Sequence, residues 1–107
     1  MAYRVLLVED AERDIEDIHR YIAHNDSIAR ADRVLDQLEA LCDSLTELPR
    51  RGNRPKELHD LGIAQYLELH GGPYRLIYQI IGDDVVVHCV QDGRRDMESL
   101  LQRRLLR

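Results

Sequence analysis

Long apolar runs, paired cysteine motifs and secretion signals are all missing from this 107-residue chain, and each absence excludes a class of protein. No apolar stretch approaches the roughly 20 residues that a membrane span needs. The opening MAYRVLLVEDAERD turns acidic before the apolar core of a signal peptide could form, so a cytoplasmic protein is expected. Only two cysteines occur, Cys42 and Cys89, 47 residues apart. That spacing makes neither a metal site nor a disulfide framework, and both read as reduced core fillers. No metal or other cofactor is expected. No repeat, low-complexity tract or linker interrupts the sequence, so residues 1–107 read as one domain, long enough to bury about two-thirds of its unfolded surface.

Bases are scarce where a nucleic-acid binder would need them. Residues 9–47 carry twelve acids against four bases, whereas Arg94 to Arg107 holds five arginines against Asp96 and Glu98. An acidic body disfavours non-specific binding to a phosphate backbone, which depends on many Lys and Arg contacts. The asymmetry suits a protein partner, or one small basic site on an acidic frame.

The most informative stretch is Pro73 to Met97, PYRLIYQIIGDDVVVHCVQDGRRDM. Tyr74–Ile81 and Val85–Gln91 are rich in Val, Ile and Tyr, and Gly82-Asp83-Asp84 supplies a tight reversal, so the pair predicts a β-hairpin. Both runs carry apolar residues on both faces, which predicts central strands covered on each side. Antiparallel pairing then brings Arg75, at the start of one strand, to the end of its partner, where Arg94 and Arg95 follow. Three guanidinium groups gathered at one rim make either a site or a set of surface ion pairs with neighbouring aspartates.

Upstream, Tyr3–Val8 predicts a short strand. Ala11, Ile15, Ile18 and Ile22 recur at helical spacing, with Asp10 placed to cap. Asn25-Asp26-Ser27 breaks the pattern and offers a cap to a second helix, whose apolar stripe runs from Ile28 past Leu45 until Pro49 ends it. Residues 49–62 read as a loop carrying Arg50, Arg51, Arg54 and Lys56, able to reach the rim of Arg75. Ala64–His70 predicts a strand with Leu67 and Leu69 on one side and Tyr66, Glu68 and His70 on the other. Arg95–Leu106 predicts a helix striped by Met97, Leu100, Leu101 and Leu105. The fold class is therefore α+β in the order β-α-α-β-β-β-α. A mostly antiparallel sheet carries a helical hairpin on one face, with a C-terminal helix.

PYRLIY, the short turn, the apolar strand and DGRRDM, together with the AERDIEDIHRYIA helix, resemble the RelE/ParE superfamily of toxins from type II toxin–antitoxin modules. The resemblance implies a toxin neutralised by a cognate antitoxin, acting either on DNA gyrase (the ParE branch) or as a metal-free ribonuclease on mRNA in the ribosome (the RelE branch). For the RelE branch it implies Arg75 and Arg95 on the scissile phosphate. Where that branch carries lysines this chain has Tyr66 and Glu68, and where it carries a tyrosine this chain has Leu101. His70 is then the available general base, with Tyr66 or Tyr78 to stack on a nucleotide base. His88 reads as a satisfied core residue. The missing basic and proton-transferring groups make the gyrase-poisoning reading the main one, with Arg54, Arg75, Arg94 and Arg95 as target-binding residues. The stripe Met97-Leu100-Leu101-Leu105 either docks an antitoxin or packs on the sheet.

Overall fold

The computed structural model describes residues 2–106. Strand β1 (Arg4–Leu7) leads into helix α1 (Glu9–Asn25) and helix α2 (Ile28–Asp43). Two 3₁₀ turns (Ser44–Thr46 and Pro49–Arg51) and a one-turn helix α3 (Lys56–His59) follow. Then come β2 (Tyr66–Gly71), β3 (Tyr74–Ile81), β4 (Asp84–Asp92) and helix α4 (Met97–Leu105). No helix among the described residues is long and apolar enough to cross a membrane.

The sheet order is β1-β4-β3-β2, with β1 parallel to β4 and the other pairs antiparallel. Strands β3 and β4 are central, as their two-sided apolar character requires. Gly82 makes their turn possible: its φ of 60° is left-handed, where a Cβ would be strained. A register shift sets Ile77 opposite Cys89 and Tyr78 opposite Val87, leaving His88 as the extra, bulged residue of β4. The bulge puts Val90 on the hairpin side with Val85 and Val87, while Cys89 lies in the cluster on the other face.

One face is covered by the α1/α2 hairpin. Ala11, Ile15, Leu38, Cys42 and Leu45 meet Leu69, Leu76, Tyr78, Val85, Val87 and Val90 in one buried cluster. The C-terminal helix takes the opposite face. Met97, Leu100 and Leu101 are packed there with Leu58, Tyr66, Ile77 and Cys89. Each fully buried aliphatic side chain contributes about 1.5–3 kcal/mol. Both cysteines are free and buried, one under each helical layer.

Three local expectations need correction. Asp10 does not cap α1: the helix begins at Glu9, its N-cap is Val8 without a side-chain bond, and Asp10 lies in the first turn. Ser27, in contrast, caps α2 by accepting from Arg30 N. Helix α2 does not run on to Pro49. It tightens at Ser44, whose hydroxyl donates to Leu41 O at 2.6 Å while Arg51 Nη1 donates to Ser44 O at 3.1 Å. The segment 49–62 is not all loop, because Pro55 starts the turn of α3 and Asn53 pairs by backbone bonds with Glu68 on the outer edge of β2.

Candidate functional site

Strand register decides which of the predicted residues meet. His70, Arg75 and Gln91 lie in one row across β2, β3 and β4. Arg95, just past β4, donates from Nη1 to Gln91 Oε1 at 3.0 Å. Arg75 and Arg95 are thus neighbours through Gln91, at one rim of the sheet. Gly93 lets the turn close over the Arg75 stem, since a Cβ there would stand 3.0 Å from Arg75 Cδ. Arg94 turns outward instead, bonding Asp92 at 2.7 Å with its side chain 85% exposed. Arg54 is exposed on the loop beside β2 and makes no ion pair among the described residues.

The Arg75 guanidinium is not free. Nη1 and Nη2 donate to the two oxygens of Glu57 at 2.8 and 2.7 Å, and Nε donates to Glu68 Oε2 at 2.8 Å. The Arg75 side chain is 12% exposed and that of Glu68 only 5%. These bonds raise the guanidinium's already high pKa, and hold the Glu57 carboxyl below its ordinary range. Glu68 also accepts from Asn53 Nδ2 at 3.2 Å, with His70 Nε2 3.3 Å away. One cation between two carboxylates leaves the cluster with net negative charge when His70 is neutral. The adjoining depression, about 320 Å³ in volume, is lined by Glu57, Asp60 and Glu98 against Lys56, with Leu61. A phosphate entering here would have to displace a bidentate carboxylate and then meet repulsion from three others.

Glu57 lies in the segment whose four bases predict a solvated loop, and the structure makes it part of α3. Its signal was Pro55 followed by KELH: a helical turn opening at Pro55 sets Glu57 one residue inside it, facing the sheet. Of the three arginines expected to pair with neighbouring aspartates, only Arg94 does so, with Asp92.

The stacking roles fail on burial. Tyr78 is fully enclosed; its hydroxyl donates to Pro49 O at 2.6 Å and accepts from Gly52 N at 3.2 Å, tying the 49–52 turn to β3. Tyr66 is 8% exposed, its ring edge-on to His88 with centroids 5.5 Å apart. His88 is satisfied by Gln79 Oε1 at 3.2 Å, and burial lowers its pKa. Of the stripe Met97-Leu100-Leu101-Leu105, the first three are buried against the sheet side and Leu105 packs partly against them. The stripe is part of the protein's own core.

A four-stranded mixed sheet with a helical hairpin on one face and a short C-terminal helix on the other is the toxin fold of the RelE/ParE superfamily. The chromosomal ParDE system of P. aeruginosa superposes with a TM-score of 0.73 at 13% identity, over 85% of this chain and 96% of that one. The RelBE2 toxin–antitoxin complex of Mycobacterium tuberculosis gives 0.63 at 24% identity, over 86% and 99%. A mutant E. coli RelE in the free state gives 0.61 at 21%, over 94% and 93%. These likenesses establish the fold. The model of the family described as ParE toxin of type II toxin-antitoxin system, parDE, matches residues 5–97, and the chain belongs to that family. Toxin ParE3 of Caulobacter vibrioides is 24% identical over 98 residues, 92% of this chain and 94% of that protein.

Proposed function

We propose that this toxin acts by binding rather than by chemistry, as a ParE-like poison of DNA gyrase, and that a cognate antitoxin neutralises it. The observation that carries this reading is the engagement of Arg75 by Glu57 and Glu68. The guanidinium that a phosphate clamp would need is already committed to two carboxylates. The position where a ribonuclease of the superfamily would carry a tyrosine holds Leu101, a fully buried side chain with no proton to give. Family membership supports the same branch. Arg75 is then a positioning residue that fixes α3 to the sheet, and the exposed Arg54, Arg94 and Arg95 are the groups offered to the target.

For the antitoxin, we favour the groove between α1 and α2, about 470 Å³ in volume. Ile15, Ala23 and Leu35 form its apolar wall and Glu16, His19 and Arg20 its polar side, a profile that suits the apolar face of a helix. The Met97-Leu100-Leu101-Leu105 stripe becomes a docking surface only if α4 leaves the sheet.

Purified toxin added to gyrase is expected to block supercoiling and to accumulate cleaved plasmid at micromolar concentration. Unchanged supercoiling removes the gyrase reading. The ribonuclease alternative keeps one argument, the convergence of Arg75, Arg95 and His70 on one rim. Its signature is codon-linked cleavage of translated message that Arg75→Ala abolishes, and intact message during full expression eliminates it.

A further inference from the structure

Strand β1 covers only part of its neighbour. It pairs with Asp84 to Val87, so among the described residues the remaining outer edge of β4 has no strand beside it. Side chains seal that edge. Val90 N donates to Asp14 Oδ2 at 3.0 Å, and His88 O accepts from Arg104 Nη1 at 3.2 Å. Asp14 Oδ1 in turn accepts from Gln91 Nε2 at 2.7 Å and from Arg104 Nη2. The Asp14 side chain is 4% exposed and that of Arg104 21%. One ion pair thus joins the middle of α1, the open edge of β4 and the last turn of α4.

We propose that the Asp14–Arg104 pair is a clasp: it holds α4 on the sheet, and without it α4 opens as a unit while the α1/α2 hairpin stays closed. Helix α4 has nine residues, too few for a helix to persist in water without packing. Its own face is anchored by Met97, Leu100 and Leu101, and the only ion pair tying its last turn to the rest of the fold, among the described residues, is the one to Asp14. The hairpin is built differently. Two long helices share one apolar cluster with the sheet, and His19 on α1 lies 2.8 Å from Asp32 on α2. Free energies of local opening differ between such units. A clasp of this kind also keeps the β4 edge from pairing with a foreign strand until it is released.

The two thiols report the two layers separately. Cys89 lies under α4 and Cys42 under the hairpin. Burial pushes their pKa values up to about 12 and about 11, so neither reacts readily while its layer is closed. Each is followed with a thiol reagent in native buffer after replacing the other by Ala. Arg104→Met keeps the apolar stem and removes the cation. It is expected to speed Cys89 labelling by about ten- to a hundredfold, the worth of a charge-assisted bond, and to leave the Cys42 rate unchanged. Arg104→Lys, which retains a cation with fewer donors, is expected to fall between. Equal acceleration of both thiols, including that of a variant that unfolds outright, overturns the proposal, as does an unchanged Cys89 rate.

Discussion

The two faces of the sheet are closed by different physics. On the hairpin face, α1 and α2 present stripes long enough to cover the strands with one cluster of apolar side chains. On the other face, α4 covers only the region of Tyr66, Ile77 and Cys89. At the rim beyond it, Arg75 with Glu57 and Glu68 closes the sheet, and Arg104 with Asp14 closes the open strand edge. Apolar layers tolerate small changes of shape, whereas a buried ion pair fails sharply when one partner is lost. The residues that first suggest a catalytic site are therefore, in large part, the structural closure of the shorter-helix side.

The largest effect is expected from Arg75→Met, which strands the carboxylates of Glu68 and Glu57. Loss of one partner from a buried pair destabilises by about 3–5 kcal/mol, read as a lowered urea midpoint. If stability is unchanged while target inhibition is lost, Arg75 belongs to the site and not to the closure. Next, Leu101→Ala on the α4 face and Leu45→Ala on the hairpin face each remove a fully buried side chain, worth about 3 kcal/mol. Leu101→Ala is expected to raise amide exchange mainly in α4, and Leu45→Ala in both hairpin helices. Indistinguishable exchange patterns would mean that the layers open together.

A smaller effect lies in the acid limb. The folded-state pKa of Glu57 is depressed by its hydrogen bonds from Arg75, so its contribution is complete above the unfolded value of about 4.3 and is lost as pH falls through the folded one. Denaturation midpoints followed from pH 6 down to 3 are expected to fall more steeply for the native chain than for Glu57→Gln. Parallel curves would show that Glu57 makes no net contribution. The smallest effect is expected at Arg94→Ala, whose guanidinium is exposed and its pair with Asp92 screened: the midpoint stays unchanged. A loss of gyrase inhibition in this stable variant would mark Arg94 as a target contact.

Periodicity and turn chemistry carried most of the fold. The steps of three and four in residues 11–45, Ser27 between the helices, and the two-sided apolar runs around Gly82 specify elements that depend on neighbours close in sequence. Their order then leaves few ways to bury the stripes. The site was legible only in part. Pairing register brought Arg75 to Arg95, as the hairpin alone predicts. What surrounds them did not follow, because Glu57 arrives from a turn 18 residues away and Asp14 reaches Arg104 across 90 residues. The same distance hid the fate of the Met97 stripe, for which sheet and partner are equivalent apolar surfaces.

By itself, the sequence determined the elements, the central place of β3 and β4, and the convergence of arginines at one rim, since each is written in local spacing and in the alternation of strand faces. Only the tertiary structure decided whether those arginines are free. The charge state of a guanidinium is fixed by its chemistry, but its availability depends on which carboxylates the fold delivers to within 3 Å, and that is set by chain crossings no local pattern records.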